Sequence, residues 1–65
     1  MNRCPRGDFY VVATWYPTDP ERYLELSLPG GGYNDTIRLA RRISRDGHDG
    51  LGSPHSIRIE AIDKN

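Results

Sequence analysis

Residues 9–16 are aromatic, aliphatic or β-branched at nearly every position, with Phe9, Val11, Ala13 and Trp15 on one alternating face and Tyr10, Val12, Thr14 and Tyr16 on the other. Such a run favours a strand over a helix, and apolarity on both faces predicts a strand covered on both sides, most simply a central one. Pro17-Thr18-Asp19-Pro20 ends it, because two prolines in four residues break a ladder and set a turn. Residues 22–28 alternate, with Leu24, Leu26 and Leu28 on one face and Tyr23, Glu25 and Ser27 on the other, which predicts a half-buried strand hairpinned to the first. Pro29-Gly30-Gly31-Gly32 then reads as a flexible stop.

The period changes at residue 36. From Thr36 to Arg45, Ile37, Leu39, Ala40 and Ile43 fall on one side of a helix, and Arg38, Arg41, Arg42 and Arg45 recur at i, i+3, i+4 and i+7 on the other. Asn34 or Asp35 is the expected N-cap and Gly47 the expected left-handed C-cap. Residues 56–63 alternate again, placing Ile57, Ile59 and Ala61 on a buried face. The expected fold is therefore a single small α+β domain over residues 1–65, ordered β-β-α-β, with a flexible N-terminus at 1–7 and a mobile glycine-rich loop at 46–55. A hairpin followed by a right-handed crossover gives a three-stranded antiparallel or mixed sheet of order 2-1-3, with the helix packed on one face.

One sheet face then has no helix to cover it. If Phe9, Val11 and Trp15 point to the helix, Tyr10, Val12, Tyr16 and Tyr23 lie outside with Arg58 and Glu60; in the opposite register Phe9, Val11 and Trp15 are the exposed set. Either register leaves an aromatic patch, and such patches on small domains mark a partner or a self-contact. Leu26, Ile43 and Ile59 are expected between helix and sheet.

Composition narrows the functional classes. The chain has 65 residues, is 35% hydrophobic and 28% charged, and balances nine basic against nine acidic side chains. That size leaves little room for a deep pocket beside a core, and zero net charge disfavours both a general nucleic-acid binder and an acidic DNA mimic. No apolar run approaches the ~18 residues of a membrane span, and the charged N-terminus has no apolar stretch behind it to make a secretory signal. The single cysteine, Cys4, allows no internal disulfide and fits a reducing cytosol; it reads as an incidental residue of the terminus.

Catalytic and metal motifs are not found in the sequence. Gly30-Gly31-Gly32 before a helix lacks the Lys-Ser or Lys-Thr of a phosphate loop. His48 and His55 with Asp46 and Asp49 match no ligand spacing, and neither histidine sits on a rigid element beside an orienting carboxylate. No cofactor and no catalytic residue are expected. The arginine stripe is sharper: Arg offers a planar fork for carboxylate or phosphate, and Thr36–Arg45 contains no acidic residue to pair it.

Tyr10-Val11-Val12, Tyr23-Leu24-Glu25-Leu26, Ile37-Arg38-Leu39-Ala40-Arg41-Arg42-Ile43 and Ile57-Arg58-Ile59-Glu60 together resemble, in architecture, the small phage-encoded inhibitors of bacterial defence known as anti-CRISPR proteins. The resemblance runs from Tyr10 to Ile62 and involves no invariant motif. It implies a stoichiometric inhibitor that docks on a nucleoprotein effector in the bacterial cytoplasm and blocks target DNA binding or nuclease recruitment. A second resemblance, ranked behind it, is to HicB-type antitoxins, through Tyr16-Pro17-Thr18-Asp19, Tyr23-Leu24-Glu25-Leu26, Leu28-Pro29-Gly30-Gly31 and Asp35-Thr36. The acidic run usual at that helix start is missing, and Arg38, Arg41 and Arg42 stand where acidic residues are common.

The sequence thus points to a non-enzymatic binding domain whose partner is a protein or ribonucleoprotein complex, contacted through Arg38, Arg41, Arg42 and Arg45, through Tyr10, Tyr16, Tyr23 and Arg58, or through both. A homodimer or tight complex is expected from the open sheet, and binding of free nucleic acid is the less favoured alternative, with bases stacked on Tyr10, Tyr16 and Tyr23.

Overall fold

A computed structural model describes residues 7–62 of the chain. The elements run β1 (Phe9–Trp15), β2 (Leu24–Gly31), α1 (Tyr33–Asp46) and β3 (Ser56–Ala61). β1 is the central strand of a three-stranded sheet of order β2-β1-β3, antiparallel to both neighbours, with α1 packed on one face, as the two-sided apolar pattern anticipates. The expected flexible N-terminus, Gly7 apart, and Cys4 lie outside the described residues.

Register decides which face of β1 meets the helix. Val11, Ala13 and Trp15 stand opposite Leu28, Leu26 and Leu24 of β2, and Val11 and Ala13 stand opposite Ile59 and Ile57 of β3. These odd-numbered positions of β1 form the core with Ala40 and Ile43 of the helix, and Leu39 and Leu51 pack against them. Val11, Ala13 and Ile43 are buried, whereas Leu26 and Ile59 are only half-buried, since one helix covers the central strand and leaves the edges partly wet. Ala61, expected on the buried face, is exposed at the end of β3 for the same reason.

Both helix termini depend on glycine. The helix starts at Tyr33, before the expected Asn34 or Asp35 cap; Gly32 is the N-cap and no side chain caps it. β2 extends through Pro29, Gly30 and Gly31, where a flexible stop was expected, and Gly31 (φ 81°) turns the chain directly into the helix. The fully buried Thr36 donates its hydroxyl to the Gly32 carbonyl at 2.8 Å and lies so close to Gly30 that a Cβ there would sit 2.8 Å from the Thr36 Cβ and 2.9 Å from its Cα. Pro29 is tolerated because β2 is an edge strand: ladder alternation turns its missing N–H outward, away from β1. At the other end Gly47 has the positive φ expected of a C-cap (81°) and a ψ of −167°, a combination essentially confined to glycine, and its N–H donates to the Ile43 carbonyl at 2.8 Å.

The segment after the helix, expected to be a mobile loop, is built from identifiable hydrogen bonds. Asp49 (φ 51°) and Gly50 (φ 84°) make a tight turn in which His48 and Leu51 exchange backbone hydrogen bonds at 3.2 and 2.9 Å. Positive φ at both central residues is what an Asp-Gly pair supplies most readily. The turn carries Leu51 onto the core, and the Trp15 indole N–H then donates to the Gly52 carbonyl at 2.7 Å.

Two glycines are therefore packing requirements. A Cβ at Gly47 would meet the Leu51 carbonyl oxygen and lie 2.9 Å from the Gly52 carbonyl carbon, on top of its backbone strain. Gly47→Ala and Gly30→Ala should each cost ~1–3 kcal/mol, lowering the midpoint of thermal unfolding by about 4 °C or more in a domain this small. Gly52→Ala, whose Cβ meets nothing within 4 Å, should stay within about 3 °C of wild type. Thermal denaturation followed by circular dichroism checks all three.

Candidate functional site

The helix presents Arg38, Arg41, Arg42 and Arg45 to solvent, all four exposed and opposite the buried side formed by Thr36, Ala40 and Ile43. Two of them are engaged by acids that flank the stripe. Arg38 lies 3.7 Å from Asp35, one turn before it, and Arg45 binds Asp46 through Nε at 3.1 Å and a terminal nitrogen at 3.3 Å. The Arg45 hydrogen bond is the main cause holding the Asp46 carboxyl below its usual range, with the charges of Arg45 and Arg42 contributing and desolvation opposing. Arg41 and Arg42 make no ion pair within 4.0 Å among the described residues. The surface pairs contribute little stability, but they redistribute the charge: the stripe is neutralised at its ends and positive in its middle.

The open sheet face is polar and internally connected. Tyr10, Val12 and Thr14 of β1 lie there, between Glu25 and Ser27 of β2 and Arg58 and Glu60 of β3. Tyr10 donates its hydroxyl to Glu60 at 3.0 Å, Arg58 Nε binds the other oxygen of Glu60, and Arg58 Nη1 reaches Glu25 at 3.8 Å. To touch acids on both neighbouring strands, Arg58 must lie across β1. Arg58 stands directly opposite Val12, which is 4% exposed although no helix lies on that side among the described residues. The Arg58 hydrogen bond, then that of Tyr10, holds the Glu60 carboxyl below its ordinary range, and the hydrogen bond to Glu60 is the largest influence raising the Tyr10 phenol.

The structure separates the tyrosines that the alternation grouped. Of the three, Tyr10 alone belongs to a strand of the open face. Tyr16 leaves the strand with a left-handed backbone (φ 53°), and Tyr23 falls before β2, so both belong to the connection 16–23. Asp19 organises that connection by accepting the backbone N–H groups of Arg22 and Tyr23 on its carbonyl and that of Glu21 on its side chain. The Arg22 guanidinium lies 4.2 Å from the centre of the Tyr16 ring. Tyr16 also lines a shallow, open cleft of about 330 Å³ with Trp15, Pro17, Thr18, Gly52, Ser53 and His55. Sequence reasoning missed this cleft, which joins segments some 37 residues apart through the Trp15–Gly52 hydrogen bond. Among the described residues no group of three His, Cys, Asp or Glu side chains could hold a metal ion, and no helix is long and apolar enough to cross a membrane. Comparison with protein-family models, curated proteins and solved structures finds no match to this chain.

The Tyr10–Glu60–Arg58 network has a defined pH signature. A carboxyl depressed in the folded state adds stability above its unfolded pKa, about 4.3 for Glu, and that stability is lost as pH falls through the depressed value. A phenol raised in the folded state adds stability below about pH 10, lost as pH rises through the raised value. Glu60→Gln should therefore flatten both the acid and the alkaline decline of stability, and Tyr10→Phe chiefly the alkaline one. Urea midpoints at acid, neutral and alkaline pH are the readout.

Proposed function

We propose that this domain acts by binding and without catalysis, as a phage-type inhibitor that docks on an acidic surface of a protein or ribonucleoprotein complex of bacterial defence and blocks its target DNA binding or nuclease recruitment. On this reading it works in the cytoplasm of the host cell, and the docking residues are Arg41 and Arg42, with Arg38 and Arg45 at the margin. The observation that carries the reading is the uneven pairing of the arginines. Arg38, Arg45 and Arg58 are held by acids of the same chain, while Arg41 and Arg42 are exposed in the middle of a rigid helix with no acidic partner among the described residues. Planar guanidinium forks with unoccupied donors, presented on a fixed backbone, are strong anchors for carboxylates.

Several features weigh against the alternative of stacking single-stranded nucleic acid. The Tyr10 hydroxyl is engaged by Glu60, the Tyr16 ring already carries Arg22, and Tyr16 and Tyr23 belong to the connection 16–23 and not to the strand that carries Tyr10. Glu25 and Glu60 place carboxylates on that face, which repels phosphate, and the chain as a whole is neutral.

The test is the double variant Arg41→Glu with Arg42→Glu. Both side chains point away from the core, so the circular dichroism spectrum should be unchanged. Proteins retained on immobilised wild-type protein from bacterial lysate should bind the variant about a hundredfold more weakly, or more weakly still, each of the two charged hydrogen bonds being worth ~1.5–3 kcal/mol. A labelled single-stranded oligonucleotide should bind wild type feebly even at low salt. Tight oligonucleotide binding that falls with salt by about one log-log unit per phosphate assigns the stripe to nucleic acid instead, and undiminished capture by the double variant removes Arg41 and Arg42 from the interface.

A further inference from the structure

We propose that the free edge of β3 pairs antiparallel with the β3 edge of a second copy of this chain, about a two-fold axis through Ile59, so that Arg58 of each copy faces Glu60 of the other. The proposal is independent of the docking role of Arg41 and Arg42.

The two edges of the sheet are not equivalent. In β2 the outward-facing backbone positions are Glu25, Ser27 and Pro29, and Pro29 has no N–H to offer a neighbour. In β3 the parity is set by the Ile62 N–H, which donates to the Asp8 carbonyl at 2.9 Å; the Thr14 carbonyl, of the same parity in β1 as Asp8, also faces β3 and accepts from His55 just before that strand at 2.7 Å. Ladder alternation then turns the backbone of Arg58 and Glu60 toward β1 and that of Ile57, Ile59 and Ala61 outward. The β3 edge carries no proline, and among the described residues no backbone hydrogen bond outside the sheet engages Ile57, Ile59 or Ala61.

Backbone parity leaves only a few self-pairing registers, and charge selects among them. Hydrogen-bonded pairs must match odd residues with odd. Pairing Ile57 with Ile59 sets Arg58 against Arg58, and pairing Ile59 with Ala61 sets Glu60 against Glu60; like charges directly opposite are destabilising. Pairing Ile59 with Ile59 and Ile57 with Ala61 sets Arg58 against Glu60 twice, in the non-hydrogen-bonded position where side chains come closest. The same register joins Ile57, Ile59 and Ala61 of the two copies on the helix side, covering side chains that a single helix leaves half-wet or exposed. The result is one continuous sheet with both helices on the same face.

Sedimentation equilibrium of the full chain from about 10 μM to about 1 mM should show a species of twice the 7.4 kDa monomer. Arg58→Glu alone or Glu60→Arg alone should weaken the dimer by about tenfold or more, and the charge swap of both should restore it. Independently of any variant, amide hydrogen exchange at dimer concentrations should protect Ile57, Ile59 and Ala61. A wild-type chain that stays at 7.4 kDa throughout that range overturns the proposal. So does a dimer in which these three amides exchange freely while Glu25 and Ser27 are protected.

Discussion

The structure depends on burying one strand from both sides with very little material. β1 receives a ladder on each edge, the helix over Val11, Ala13 and Trp15, and on its other face, where Val12 and Thr14 are buried, the network of Arg58 with Glu25 and Glu60. A domain of this size hides a modest share of its surface, so the centre has to be tight. The tightness is set at two points where backbone meets backbone or nearly so: Gly30 under Thr36, and Gly47 against Leu51 and Gly52. The first sets how closely the start of α1 approaches the end of β2. The second folds the following turn back so that Leu51 joins the core and Gly52 receives the Trp15 indole.

The same economy shapes the surface. With no second helix among the described residues, the open face carries a polar network that engages Arg58, Glu60, Glu25 and the Tyr10 hydroxyl. A face built this way is polar, with two carboxylates to one guanidinium, unlike the aromatic patch that alternation alone suggests. The helix does the opposite. Asp35 and Asp46 cancel the ends of its arginine stripe and leave Arg41 and Arg42 as a compact positive centre. The proposed docking role rests on that contrast, since Arg41 and Arg42 are the arginines of the stripe with no ion pair to an acid among the described residues.

Much of the architecture is legible in the sequence because it rests on local periodicity. Two-sided apolarity marks β1 as central, alternation of Leu24, Leu26 and Leu28 and of Ile57 and Ile59 marks its neighbours, the helical period isolates the arginine face, and Gly47 marks the helix end. These signals survive because burial and backbone geometry act on each element separately. Tertiary contacts decided the rest. Which face of β1 meets the helix is undetermined by a strand apolar on both sides; it was settled by pairing Val11, Ala13 and Trp15 with the leucines and isoleucines of its neighbours. Gly30 belongs to a strand, and not to a flexible stop, because Thr36 comes to rest against it. Tyr16 parts from Tyr10 because the chain turns left-handed at the end of β1. Arg58 meets Glu25 because three strands bring side chains distant in the chain within reach, a proximity that no local period encodes.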